Sequence, residues 1–377
     1  MIAPNKARAG QIDTLRTFAV TAVIFSHTIT EKFMIGEFAF FEFGAYGVYI
    51  FFVISGFLIT SQLLEMKKLR EIRGDGLAAP IKSFYVKRAL RLFPAYYLAL
   101  FAAWIIDLRT IRAEMPWHMA QLTNVYFGFN QIAEYSSPVG HLWSLSMEWQ
   151  FYLVWPFVVL VCGPRLLLAV TIGLIALSFS AWLEVLPLPS AWLLTSIPAS
   201  LDSLGFGALL AIAMDRHWPI ATLARKVGWV GLAVIAMTLP LMTGHADIGW
   251  TLAPYTHEVM NLFFMLVVYR AYTGWDGVIG AVLDIAWLRY TGVISYGIYL
   301  YHQYILSAYE GLVLRWGGWM PVNYGLSLTV CLFALSWITA HLSWKFFEKP
   351  INRMRQRFDY PRKDQIPSGL HRRASPG

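Results

Sequence analysis

Apolar residues gather into ten runs along this chain of 377 residues, near 13–31, 44–64, 90–107, 141–161, 166–184, 192–214, 227–243, 252–269, 291–313 and 323–344. Each is about the length a helix needs to cross the hydrocarbon core of a bilayer, several of them marginally. The pattern predicts an all-α integral membrane protein with about ten transmembrane helices. Between the runs the cations fall unevenly. With both termini on one side, that side receives Lys6, Arg8, Arg16, Lys67, Lys68, Arg70, Arg73, Lys82, Lys87, Arg88, Arg91, Arg165, Arg216, Arg225, Lys226, Arg270, Arg289 and the cations of the C-terminal stretch. The other side receives only Lys32, Arg109, Arg112 and Arg315. Loop Lys and Arg favour the cytoplasmic face, so both termini are expected in the cytoplasm.

Composition agrees with a membrane solvent. Hydrophobic residues make up 57% of the chain and charged residues 14%, with a mean hydropathy of +0.52. Soluble domains carry about 25% charged residues. The 16 Trp and 19 Tyr suit interfacial belts as well as packing. A net charge of +8 raises the question of nucleic acid. The cations sit in loops on one side, so no nucleic-acid partner is expected. Cys162 and Cys331 stand alone with no CxxC, which supports neither a disulfide framework nor a zinc site, and no metal is expected.

Lys6 and Arg8 ahead of an apolar run resemble the start of a signal peptide. Arg16 and His27 interrupt that run and no A-x-A-like site follows, which predicts a retained first span. No linker divides the chain. Residues 1–350 are expected to form one transmembrane domain and 351–377 a basic cytoplasmic tail, disordered from about Phe358 through Pro361, Pro367 and Pro376. The segment 108–140 is long for a loop and mixes Trp117, Tyr126, Phe127 and Phe129 with polar residues. It suits a membrane surface or a cap over a cavity. The lack of an internal repeat speaks against transporter folds built from inverted halves.

Ionisable residues inside apolar runs are the candidates for chemistry, because a bilayer makes them costly. Arg16 and His27 are eleven residues apart, three helical turns plus about 20°, so they share one helix face roughly 16 Å apart along the axis. A histidine exchanges protons near neutral pH, although a lone one can equally be a packing group. An arginine near a span boundary can simply snorkel to headgroups. His141, Ser144, Glu148 and Tyr152 are spaced three, four and four, which makes one polar stripe on an apolar helix. A carboxylate there can hold the His27 imidazole in one tautomer or contact an acceptor. The alternative is a structural bond between helices. Arg88 and Arg91, three apart beside Lys87, are neighbours on one face and suit bidentate contact with phosphate. Their position alone also fits topology and lipid contact. Ser55 and Gly56 offer a small surface to another helix or a ligand chain. Asp202, the His257–Glu258 pair and His302 are further polar residues within apolar runs, each read singly as structural.

Taken in order, these strings resemble the acyltransferase-3 family of multipass membrane acyltransferases. Ile12 to Arg16 with His27 is similar to its Arg-x10-His signature, Phe51–Thr60 to its Phe-Phe-x-x-Ser-Gly-Phe segment, and Arg88–Arg91 to its Arg-x-x-Arg motif. His141–Tyr152 resembles its Trp-Ser-Leu-x-x-Glu block, and Ile294–His302 and Phe347–Pro350 its closing motifs. The resemblance implies transfer of an acyl group, usually acetyl from acetyl-CoA, to a hydroxyl of a carbohydrate or glycolipid at the bacterial cytoplasmic membrane. Another acyl-CoA, a macrolide-type acceptor, and a non-enzymatic transporter are the alternatives. It further implies His27 as the catalytic residue, with Arg16, Arg88 and Arg91 binding donor or maintaining the site. Glu148 is expected close to His27. Many relatives carry an additional SGNH-type domain. This chain ends without one, so a two-step relay within one polypeptide is not expected.

Overall fold

The computed structural model describes residues 6–29, 43–105, 108–130, 138–185, 200–242, 246–316 and 325–360. Among these residues all regular structure is helical and no strand occurs. Helix α1 (Lys6–Ile29) is followed by α2 (Phe43–Arg73) and α3 (Ala78–Ile105). The turn between the last two passes through Gly74 at φ 71°, a left-handed conformation that costs glycine little. A 3-10 turn (Leu108–Ala113) and two short helices, α4 (Met115–Met119) and α5 (Thr123–Asn130), precede α6 (Leu142–Val161). Then come α7 (Pro164–Trp182), α8 (Leu201–Asp215), α9 (Ile220–Ala224), α10 (Val227–Met242) and α11 (Ala246–Thr273). The last part comprises α12 (Gly277–Leu283), α13 (Ala286–Val293), α14 (Ser295–Trp316) and α15 (Leu326–Ser343). A π-helical turn (Trp344–Glu348), α16 (Lys349–Arg353) and a 3-10 turn (Met354–Phe358) follow.

Every predicted apolar run overlaps a helix. Four helical stretches among the described residues are long and apolar enough to cross a membrane: Gly44–Arg73, Leu142–Val161, Pro164–Trp182 and Leu326–Phe358. The others are shorter or interrupted by polar residues, as α1 is by Arg16 and His27 and α11 by His257 and Glu258. Two boundaries differ from expectation. The run at 291–313 divides at Ile294, where α13 ends and α14 begins. α3 starts at Ala78, well before the apolar run at 90, so Lys82, Lys87, Arg88 and Arg91 all ride on that helix.

α1 packs against α2, α11, α12, α13, α14 and α15 and so sits at the centre. Two apolar cores meet along α1 and α2. One gathers Val23, Phe52, Tyr96, Trp155 and Leu300, the other Leu15, Ile54, Phe57, Leu210 and Leu266. The first half of α1 is pinned by side-chain bonds to passing carbonyls: Thr14 Oγ1 donates to Leu283 O at 2.6 Å and Thr17 Oγ1 to Leu288 O at 2.6 Å. α2 and α8 cross in close backbone contact. A Cβ on Gly56 would lie 2.1 Å from Leu204 O, and one on Gly207 2.1 Å from Val53 O, so only glycine permits this backbone contact.

The described residues run past the expected boundary at 350. The chain stays docked through Tyr360: Ser83 Oγ donates to Phe358 O at 2.6 Å, Lys87 pairs with Asp359 at 2.5 Å, and Tyr360 OH donates to Asp75 Oδ2 at 2.7 Å. The Tyr360 and Arg73 bonds hold the Asp75 carboxyl below the usual carboxylate range. Burial and that bond push the Tyr360 phenol up to about 12. Residues 361–377 lie outside the described residues.

Candidate active site

Four helices and α1 enclose a cavity of about 120 Å³. α1 contributes Arg16, α2 Phe51, Phe52 and Ser55, α3 Arg88 and Arg91, α6 Ser144, Glu148 and Tyr152, and α14 Ser295, Tyr296 and Tyr299. Four of the five residues singled out by sequence therefore line one space. The helical arithmetic explains their aim: Arg88 and Arg91 are one turn apart on α3, and Ser144, Glu148 and Tyr152 run down one face of α6.

The charges are arranged asymmetrically. Arg16 Nη1 is paired with Asp13 Oδ1 at 2.7 Å. Arg88 instead donates from Nη2 to the Gln62 amide oxygen at 3.1 Å and lies over the rings of Phe84 and Tyr152. Arg91 donates from Nη2 to Val293 O at 3.2 Å and lies over Trp344. Among the described residues neither has a carboxylate within ion-pair distance. Each keeps N–H donors beyond those neutral acceptors, since a guanidinium has five. Glu148 accepts hydrogen bonds on Oε1 from Ser55 Oγ and Tyr152 OH. Lys87, weighed with the two arginines, is engaged by Asp359.

His27 is not part of this lining. Its ring centre lies 5.2 Å from that of His302 on α14, and His302 lies 5.2 Å from His141 at the start of α6. Among the described residues His27 and Glu148 share no hydrogen bond or ion pair: Glu148 bonds Ser55 and Tyr152, while His27 neighbours His302. Tyr299 links the two compartments. It lines the cavity, its hydroxyl bonds Ser144 Oγ at 2.6 Å and His141 O at 3.1 Å, and its carbonyl accepts from His302 Nδ1 at 2.5 Å. Sequence reasoning missed Tyr299 and the histidine row. The signal was present in the spacing of Tyr296, Tyr299 and His302, which puts them on one face of α14.

The described part of the segment after α3 packs against α3 and α6. Tyr96 OH donates to His118 O at 2.8 Å, and Asn124 and Gln150 exchange amide bonds at 3.1 and 2.9 Å. Burial holds His118 down to about 4, and its Nδ1 meets Thr123 Oγ1 at 2.9 Å. Elsewhere Asp202 and His257 pair at 2.6 Å between α8 and α11, with the His257 ring between Tyr49 and Trp182. Among the described residues no cluster of three His, Cys, Asp or Glu side chains is placed to hold a metal.

The model of an acyltransferase domain, acyltransferase-3, matches residues 10–341. The peptidoglycan O-acetyltransferase OatA of Listeria monocytogenes is 28% identical over 366 residues, covering 91% of this chain and 55% of that protein. The putative peptidoglycan O-acetyltransferase YrhL of Bacillus subtilis is 29% identical, covering 90% and 54%. A putative O-acetyltransferase of Staphylococcus aureus is 25% identical, covering 91% and 57%. The chain thus spans just over half the length of these curated relatives. No solved structure matches it significantly.

Proposed function

The chain belongs to the acyltransferase-3 family, and on that premise we propose that it is a ten-span membrane O-acetyltransferase of the bacterial cytoplasmic membrane, with both termini in the cytoplasm. The reaction is transfer of acetyl from acetyl-CoA to a hydroxyl of a surface or lipid-linked carbohydrate. The names of the relatives, peptidoglycan O-acetyltransferases, support a glycan acceptor. The observation that carries the reading is the convergence of Arg16, Arg88, Arg91 and Glu148 on one cavity, with Arg88 and Arg91 bonded, among the described residues, to neutral acceptors. Such a site attracts an anion, and bidentate guanidinium contact suits the phosphates of CoA. At about 120 Å³ the cavity is smaller than a full cofactor pocket, so it takes only part of the donor while the remainder extends outside.

In this proposal His27 accepts the proton of the acceptor hydroxyl as its oxygen attacks the thioester carbonyl. The C–S bond then breaks, and the departing CoA thiolate receives that proton from the imidazolium. N–H and O–H donors of the cavity stabilise the tetrahedral oxyanion. Glu148 keeps the Ser55 and Tyr152 hydroxyls aligned and offsets part of the guanidinium charge. General-base assistance of this kind contributes about 10²–10⁴-fold. The test is release of CoA thiol from acetyl-CoA by purified protein, wild type beside His27→Ala. Release by wild type alone supports the reading. Equal release by both removes His27 from its centre, and none from wild type, with no acetyl-CoA binding, rejects the donor.

A further inference from the structure

The histidine row carries more than proximity. A backbone carbonyl can only accept, so the nitrogen bonded to it must bear the proton. His302 Nδ1 meets Tyr299 O at 2.5 Å, and His141 Nε2 meets Leu300 O at 3.0 Å. Two successive carbonyls of α14 thereby fix both tautomers in the neutral rings. His302 is left with its lone pair on Nε2 and His141 with its lone pair on Nδ1. Both atoms are buried and have no hydrogen-bond partner among the described residues, in side chains that are 0% and 2% exposed. A buried acceptor without a donor is destabilising, so the fold has reason to supply one. Two imidazoles joined by an N–H···N bond of about 2.9 Å have their ring centres about 5 Å apart. The His27–His302 ring centres sit 5.2 Å apart with the rings tilted by 51°, the separation such a bond requires.

We propose that His302 is the positioning residue for His27. Its Nε2 lone pair accepts the N–H of His27, which leaves the other His27 nitrogen unprotonated toward the acceptor hydroxyl. When His27 takes the hydroxyl proton, the N–H shared with His302 strengthens, and the charge is held until the proton passes to the CoA thiolate. His302 here fills the role that sequence spacing assigned to Glu148. His141 stands behind it with a second fixed lone pair. This inference rests on the reading of His27 as general base.

The experiment separates the acceptor atom from the structural bond. His302→Asn keeps an N–H donor for Tyr299 O and removes the acceptor at Nε2, whereas His302→Gln places a carbonyl oxygen near the Nε2 position. Turnover is measured as CoA thiol release from acetyl-CoA, with water and with chitotetraose as acceptor. Loss of a tautomer-fixing partner predicts that kcat of His302→Asn falls about 10²–10³-fold with little change in KM for acetyl-CoA, and that His302→Gln recovers at least about tenfold. Full activity of His302→Asn, or equal loss in both variants when both fold normally, overturns the assignment. If wild type releases no CoA, the reading of the enzyme fails instead. Nitrogen-15 NMR of histidine-labelled protein in nanodiscs then decides the remaining point: a protonated His302 Nε2 sinks the inference, and an unprotonated one that shifts in His27→Ala supports it.

Discussion

Removing Arg88 and Arg91 together should weaken acetyl-CoA binding while leaving the binding of S-acetylpantetheine nearly unchanged. Each guanidinium presently spends one described hydrogen bond on a neutral oxygen, at 3.1 Å to Gln62 and 3.2 Å to Val293. The remaining N–H groups are available to an anionic ligand. A hydrogen bond to a charged partner contributes about 1.5–3 kcal/mol, so each Arg→Ala change predicts a Kd raised about 10–100-fold. The two residues are one helical turn apart and would share neighbouring phosphate oxygens. The double variant should therefore lose less than the product of the single losses. Binding of radiolabelled acetyl-CoA to protein in nanodiscs measures this, with S-acetylpantetheine as the ligand that keeps the thioester and lacks the phosphates. Arg88→Lys keeps the charge without the fork and should recover only part of the loss. Equal weakening of both ligands would mean that the arginines hold the cavity walls. No weakening of either would place the phosphates elsewhere.

Other perturbations follow from the same geometry. Gly56→Ala introduces a Cβ only 2.1 Å from Leu204 O and should destabilise the protein by about 1–3 kcal/mol, read as a lower thermal midpoint, whereas a wild-type midpoint would mean the seam can open. Glu148→Gln keeps the shape but removes the charge that accepts from Ser55 and Tyr152, and should lower kcat more than Ser55→Ala does; a reversed order would make the serine the functional partner. The Asp75 carboxyl is held below its ordinary value of 3.8, so its contribution is fully present above that pH and disappears as pH falls through the folded value. Limited proteolysis should find 354–360 protected at pH 7 and cut once Asp75 is protonated, and Tyr360→Phe should expose the segment at neutral pH. Cleavage that ignores both changes would dismiss the latch.

Helical spacing located most of the cavity because it depends on one helix at a time. Arg88 with Arg91, and Ser144 with Glu148 and Tyr152, each define a face from short-range geometry, and the structure turns those faces toward one another. Which helix meets which face is a long-range fact that spacing does not carry. His27 was matched with Glu148 on the ground that a carboxylate is the usual partner of an imidazole, yet its neighbour is His302, brought in by α14. Ser55 and Gly56 were legible as a small surface, but the reciprocal Gly207 on α8 was not. Nor does composition show how the chain after α15 docks: Tyr360 finds Asp75 almost three hundred residues earlier, while the prolines from Pro361 onward lie outside the described residues.

The contact between α2 and α8 also bears on which wall of the cavity can give way. Ser55 stands beside Gly56, whose backbone already touches that of Leu204, so this wall of the cavity has no depth left to yield. Leu92 and Leu145 also line the cavity, with side chains that can be shortened without moving a helix. If the cavity takes donor as proposed, it can widen on α3 and α6 but not on α2, so Leu92→Ala is where a bulkier donor should first gain on acetyl-CoA.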